Sequence, residues 1–397
     1  MDLEMRPNTM EEFPTLKRTN ARAHGKHYTE TELEIFKILF QPERSLAVFD
    51  RGAIVGNITS YPGEVTVPGG QAPMAAVAQV GVQQTHRRRG ILTTMMKRQL
   101  RDIHEWGEPL ASLESSEGAI YGRFGYGAAI PVEDWTIERH RAAFERRRDP
   151  DGRLRFVEVD EARELFSRPY ERVSLARPGM VTRNRVWWDF WFARAALFGE
   201  DPRWFHVIYE RDGQIDGYVV YRLRGSTLVV REHMAATDDA YDALWRFCLD
   251  VDLTTSITAA DRPVDDPLMW MLADPRALRR SPRDGTWLRL VDVEAALRAR
   301  RYAAGGRLAL RVHDSLCEWN DGTFELDGGP EGARCGPTTA SPDLELSAAD
   351  LAATFLGGVR FTTLARSGRV GELTAGAVSR ADAMFRTEAS PWCFGSA

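Results

Sequence analysis

The sequence predicts a mixed α/β (α+β) chain in three segments, and three observations carry that prediction. Through residues 1–148 the signals run helix, antiparallel strands, basic loop, helix, strand, helix, an order that suits a mixed sheet covered on both faces. Residues 149–290 repeat the outline weakly. Residues 291–397 change character, with Gly-rich turns such as Asp321-Gly322 and Asp327-Gly328-Gly329-Pro330 between short strands. A chain of 397 residues is long enough for two or three domains with cores of their own. Its 43% hydrophobic and 27% charged residues are those of a globular protein.

Taken in order, residues 29–40 form a helix whose apolar positions are Leu33, Phe36, Ile38, Leu39 and Phe40. Strands at Ser45–Asp50 and 53–61 meet at the hairpin turn Arg51-Gly52, and β character continues over 64–67 and 74–82. After the basic loop, Leu92, Met95, Met96, Gln99, Leu100 and Ile103 recur at helical spacing, so the methionines belong to a core face. Residues 109–113 make a short buried strand, and Ser115 or Ser116 can cap the helix that follows, with Glu117 in its first turn. The charged stretch 138–155 is an exposed helix end and linker, its Arg146-Arg147-Arg148 solvated.

In the second segment, strands at 204–209 and 218–223 flank the turn Arg211-Asp212-Gly213, a strand covers 227–232, and Asp238–Asp250 is a helix. Trp187, Trp188 and Trp191, at helical spacing, pack against a sheet or an interface. In the third, helices are expected at 348–356 and 380–385. Acidic residues are dense from Asp321 to Asp350, which marks a soluble surface or, functionally, a wall that attracts polyamines.

The most informative stretch is Val80-Gly81-Val82, leading through Thr85-His86-Arg87-Arg88-Arg89-Gly90 into Ile91-Leu92-Thr93. A strand, a basic loop closed by glycine and a helix start together present free backbone N–H groups and a positive dipole end to an oxyanion, a diphosphate above all. Gly90 would let the backbone approach that ligand closely. No Walker motif and no G-x-G-x-x-G after a strand is present, so the common nucleotide loops are excluded. At residues 234–239, the matching position of the second segment, neither arginine nor glycine occurs, so that segment is a degenerate copy unable to hold a diphosphate.

The string R-x-x-G-x-L at Arg87, Gly90 and Leu92, with V-x-V before it, resembles the acyl-CoA loop of the GCN5-related N-acetyltransferases (GNAT). Tyr121-x-x-x-Gly125-Tyr126 resembles the next helix of that superfamily, whose tyrosine sits beside the cofactor sulfur. Residues 85–90 and 116–127, with later landmarks at 284–297 and 333–338, resemble the Eis (enhanced intracellular survival) acetyltransferases across the length of the chain. The resemblance implies tandem GNAT-like domains at 1–148 and 149–290, and a sterol-carrier-protein-like domain at 291–397. It further implies acetyl-CoA as cosubstrate, aminoglycosides acetylated at several positions, and a homo-hexamer. The expected cofactor contacts are Val80, Gly81, Val82, Arg87, Arg88, Arg89, Gly90, Ile91, Leu92, Thr93, Ser116 and Glu117.

Acetyl transfer to an amine needs a held thioester, a neutral nucleophile, help for the developing oxyanion and a proton for the leaving thiolate. Tyr121 is the expected general acid, its phenol being protonated at neutral pH. The family's use of its C-terminal carboxylate implies that of Ala397 as general base, although this chain ends Phe394-Gly395-Ser396-Ala397 where the family usually ends in phenylalanine. His86 is a substitute by residue type, but its place in the loop suits a structural or phosphate-facing role. Glu117 suits capping, and Tyr126 suits packing.

Other classes of function are disfavoured. The eight histidines show no H-x-x-x-H or H-E-x-x-H pairing, so no metal is expected. Cys248, Cys317, Cys335 and Cys393 are scattered, which points to a reducing cytoplasm, and residues 1–5 do not start a secretory leader. No apolar run is long enough for a membrane span, and a net charge of −5 disfavours nucleic acid and favours cationic substrates, here a small amine. The alternatives are a protein-lysine or polyamine acetyltransferase, or a low-activity protein that binds a small molecule or lipid in its C-terminal domain.

Overall fold

The computed structural model describes residues 3–146, 150–199 and 203–394. The chain divides into two compact units, Met1–Ile130 with Gly285–Glu388, and Pro131–Asp284 with Ala389–Phe394.

The first unit opens with strand β1 (Leu3–Pro7) and helices α1 (Phe13–Ala23) and α2 (Glu30–Lys37). Thr29 and Glu32 form a capping box at the start of α2, each side chain bonding the other residue's backbone. Strands β2 (Ser45–Asp50), β3 (Ala53–Val67) and β4 (Gly70–Val82) continue as an antiparallel meander, so the short strands expected at 53–61 and 64–67 are one long strand. Helix α3 (Ile91–Glu105), strand β5 (Leu110–Glu114), the short helix α4 (Gly118–Tyr121) and strand β6 (Gly127–Ala128) follow. Alternation along the strands builds two cores. Leu46 and Val48 join Ile91, Met95, Met96, Leu100 and Ile103 of α3, whereas Ala47 and Phe49 join Phe13, Leu16 and Leu33 of α1 and α2.

The second unit comprises β7 (Pro131–Glu138), β8 (Arg153–Val157), α5 (Val159–Leu165), α6 (Ser167–Ala176), α7 (Arg185–Ala193), β9 (Phe205–Arg211), β10 (Gln214–Arg224), β11 (Thr227–Ala235), α8 (Asp238–Asp250), β12 (Ser256–Pro263), α9 (Leu268–Met271) and β13 (Leu278–Asp284). Its seven-stranded sheet runs β13-β7-β12-β11-β10-β9-β8, with β11 and β12 parallel. Trp188 and Trp191 are buried on α7, as their spacing predicts.

The chain then returns to the first unit through β14 (Thr286–Leu290), which lies between β5 and β6 and completes a sheet ordered β1-β2-β3-β4-β5-β14-β6. After α10 (Val293–Ala299), a five-stranded sheet forms from β15 (Gly306–His313), β16 (Gly322–Gly329), β17 (Gly332–Pro337), β18 (Leu344–Ser347) and β19 (Val370–Glu372), with helices α11 (Ala348–Thr354), α12 (Phe361–Arg366) and α13 (Ala377–Phe385). Helix α11 packs tightly on β6: a Cβ on Gly127 would lie 2.0 Å from the Ala349 carbonyl oxygen.

The two large sheets run across the positions 148 and 290 at which the sequence suggests breaks. Residues 131–138 form an interior strand of the second sheet, and 286–290 pair within the first sheet. The charges at 138–141 look like a linker in sequence but are ion-paired across the second unit, Arg141 to Asp274 at 2.7 Å and to Glu138 at 3.1 Å. Arg147 and Arg148 lie outside the described residues. The acidic residues of the third segment are partly paired at its surface, Asp327 with Arg307 at 2.9 Å and Asp343 with Arg380 at 3.3 Å.

Candidate active site

Strands β4 and β5 pair in parallel only from Met74↔Leu110 to Ala76↔Ser112, and beyond that register they part. On its other side β4 stays with β3 but carries a bulge. Asn57 faces Gly81 and Thr59 faces Ala78, so Gln79 and Val80 together stand opposite Ile58. Gln79 has φ +56°, a left-handed conformation uncommon outside glycine. Its carbonyl accepts the side-chain amides of Asn57 at 2.6 Å and Asn20 at 2.9 Å. The parted strand end, Val80 to Val82, lines a cavity of about 480 Å³.

The loop after β4 is fastened to the end of α1. Gln83 donates to the Thr19 carbonyl at 2.6 Å, Gln84 to that of Arg22 at 3.0 Å, and Arg87 to that of Ala23 at 3.0 Å. His86 bridges Thr85 at 2.8 Å and Asp50 at 3.1 Å, and it also lines the cavity. Gly90 precedes α3 at φ +78° with open space where a Cβ would stand. The left-handed conformation favours glycine there, and the open space leaves room for a ligand to approach. No side chain caps α3, and its first internal bond runs from Thr94 N–H to Gly90 O at 3.0 Å. The N–H groups of Ile91, Leu92 and Thr93 therefore have no partner within the helix, and all three residues line the cavity.

Opposite the loop, α4 brings Tyr121 to the same cavity, with Ser116, Glu117, Ile120 and Arg123. Tyr121 is 7% exposed, and burial, reinforced by the Glu117 carboxylate, raises its phenol above the ordinary tyrosine value. Tyr126 meets it edge-on with ring centroids 6.1 Å apart and is fully buried, in keeping with packing. Neither Ser115 nor Ser116 caps α4. The cap position belongs to Glu117, no side chain bonds there, and Ser115 donates to the Glu117 carbonyl at 2.8 Å. A four-residue helix offers little dipole for a cap to satisfy.

Of the expected contacts, Val80, Gly81, Val82, Arg87, Arg88, Gly90, Ile91, Leu92, Thr93, Ser116, Glu117 and Tyr121 all line this one cavity. Arg89 does not. Ala397 lies outside the described residues. Ala23, His24 and Arg123 also line the cavity and were not foreseen in the sequence. Arginines with an uncapped helix start suit a diphosphate, and the parted strand offers backbone groups to an amide-bearing arm.

Residues 4–129 match a family model described as an acetyltransferase (GNAT) domain, and residues 179–290 match another of the same description. Residues 293–394 match a sterol carrier protein domain. An uncharacterized N-acetyltransferase of Streptomyces coelicolor is 39% identical over 99% of this chain and 99% of its own. The N-acetyltransferase Eis of Mycobacterium tuberculosis is 36% identical over 83% of this chain and 81% of its own. The chain belongs to the Eis family of N-acetyltransferases.

The crystal structure of Eis1 from Mycobacterium abscessus superimposes on this Eis-family chain with a TM-score of 0.87, at 35% identity and 99% coverage of both chains. A GCN5-related N-acetyltransferase from Anabaena variabilis shares the fold, with a TM-score of 0.88 at 22% identity and 99% coverage of both chains. The tandem GNAT domains and the sterol-carrier-like domain follow the resemblance. GNAT acetyltransferases use acetyl-CoA as acyl donor. Among the described residues no group of His, Cys, Asp and Glu could hold a metal ion, and no helix is long and apolar enough to cross a membrane.

Within the Eis-family fold, the second GNAT domain differs from the first at the corresponding strand end. Strands β11 and β12 pair in parallel only as far as Val230↔Ala259, as β4 and β5 do before they part. There the opening is bridged by Arg262, whose guanidinium reaches the His233 carbonyl at 3.3 Å and Asp266 at 2.8 Å and lies over Trp245 and Trp392. Helix α8 is capped by Thr237, whose hydroxyl accepts the Ala240 N–H at 3.3 Å. The tail adds to this filling. Trp392 is 3% exposed and donates its indole N–H to Asp261 O at 2.5 Å, and Ser390 N–H bonds Asp265 at 2.8 Å.

Proposed function

We propose that this chain acetylates primary amines by direct attack on acetyl-CoA, with aminoglycosides, modified at more than one position, as its acceptors. The observation that carries the reading is the meeting of three parts in one cavity: the parted strand Val80–Val82, the uncapped start of α3, and Tyr121. When bound, acetyl-CoA supplies an activated acetyl group and a thiolate leaving group. In this reading Ile91, Leu92 and Thr93 N–H with Arg87 and Arg88 hold the diphosphate. The backbone of Val80 to Val82 orients the pantetheine arm and turns an N–H toward the carbonyl oxygen. Ser116 and Glu117 border the arm.

Tyr121 acts as general acid. Burial keeps its phenol protonated through the neutral range, so it has a proton to give to the departing thiolate. The carboxylate of Ala397 is the proposed general base. The expected outcome for Tyr121→Phe is a fall in kcat of about 10²-fold to 10⁴-fold with the KM for acetyl-CoA within a few-fold. Thiol release with a multi-amine aminoglycoside, with the acetyl groups counted by mass, measures it. A variant that turns over at the parental rate excludes the phenol. Tight acetyl-CoA binding with no aminoglycoside-dependent release excludes that acceptor class.

A further inference from the structure

The carbonyl of Gln79 is held by two buried asparagines from different elements, Asn57 on β3 and Asn20 on α1, which are 1% and 4% exposed. The amide orientations follow from the chemistry, since a carbonyl oxygen can only accept and both nearby atoms must therefore be Nδ2. Asn20 Nδ2 also lies 3.3 Å from Asn57 Oδ1, so the two amides brace each other. Gly81 makes room for the pair: a Cβ there would stand 2.8 Å from Asn20 Nδ2.

A bulge needs such bracing. It removes a carbonyl from the ladder, and a buried carbonyl without a donor is destabilising. A non-glycine residue in the left-handed region adds a steric cost of its own. Both costs disappear if β4 slips into regular register with β3. A slip of one residue, however, turns every backbone and side-chain group beyond it to the opposite face. Val80, Gly81 and Val82 would then no longer present the same groups to the cavity.

We infer that Asn20 and Asn57 are positioning residues for acetyl transfer, pinning the bulge at Gln79 so that Val80 to Val82 address the acyl donor. This rests on the reading of Val80 to Val82 as the donor strand. The asparagines touch neither substrate and act through the backbone they hold.

The test is steady-state kinetics of Asn20→Ala and Asn57→Ala, with a double variant Asn57→Ala/Gln79→Gly and hydrogen exchange of the parent protein with and without CoA. Each single variant is expected to lose about tenfold to a hundredfold in kcat, with the KM for acetyl-CoA held within about threefold because the diphosphate site on α3 is intact. Glycine at position 79 adopts positive φ freely, so the double variant should regain part of the lost kcat. Single variants within twofold of the parental kcat overturn the inference. So does a parallel loss of kcat and acetyl-CoA affinity, the mark of general loosening, and so does a double variant as slow as Asn57→Ala. Absence of CoA-dependent protection over Val80 to Val82 in the parent overturns the donor-strand reading and the inference with it. Protection there, with unimpaired asparagine variants, overturns the positioning role alone.

Discussion

At the scale of single residues, Lys17 is a charged side chain at odds with its surroundings. It is 1% exposed on α1, with its ammonium 3.5 Å from the centroid of the Phe36 ring and 5.5 Å from that of Tyr28. Burial lowers its pKa to about 7. An unfolded lysine titrates near 10.4, so between pH 7 and about 10 the unfolded chain binds more protons than the folded one. The stability contribution is fully present above the unfolded value and is lost as pH falls toward 7. Replacing the amine by a thioether of similar length removes this linkage. Lys17→Met should raise stability at pH 7 and flatten the rise that the parent shows between pH 7 and 10. Urea unfolding followed at several pH values measures both, and parallel pH profiles for parent and variant would refute the linkage.

At the scale of elements, the contrast between α3 and α8 carries the next prediction. Both follow a strand that parts from its neighbour, yet only α8 has a side-chain cap. Gly90→Asp places a carboxylate at the start of α3, where it competes for the free N–H groups and repels a phosphate. Asparagine tolerates the left-handed region about as well as aspartate without the charge. Isothermal titration with CoA should therefore show Gly90→Asp weakened at least about tenfold and Gly90→Asn less. Equal affinities for the two variants would remove the electrostatic part of the argument.

What could be seen in the sequence at this scale follows from where polarity and burial agree. Residues of α8 alternate at helical spacing with an acidic start and a threonine cap, and its range is the predicted one. The motif residues around Gly90 and Tyr121 lie close in sequence and are brought together by adjacent elements. Helix α1 was not visible because its buried face includes Lys17, Thr19 and Asn20, polar groups that hide the apolar period. With it went Ala23 and His24 of the cavity and the bracing of Gln79. Strand β6 has two residues, too few for any pattern, and β14 is separated from its neighbours in the first sheet by the whole second unit.

At the scale of the whole molecule, the two units differ in how acid acts on them. The second contains the buried histidines His206 and His233. Burial, with Arg231 nearby, lowers His206 to about 4. Burial and then Arg262 hold His233 well below the ordinary histidine value, and its Nε2 has no hydrogen-bond partner among the described residues. An unfolded histidine takes up its proton near pH 6.5. As pH falls from there toward 4, the unfolded state gains protons that folded His206 and His233 refuse, so the stability they leave intact above pH 6.5 is progressively lost. The described histidines of the first unit, His24, His27, His86, His104 and His313, are exposed or half-buried. Hydrogen exchange at pH 7.5 and 5.0, corrected for intrinsic rates, should therefore show protection falling in β11 and α8 and holding in β4 and α3. His206→Asn should remove part of the loss by eliminating one of the two refused protons. A uniform loss across both units, or the same loss in His206→Asn, would assign the acid sensitivity to other groups.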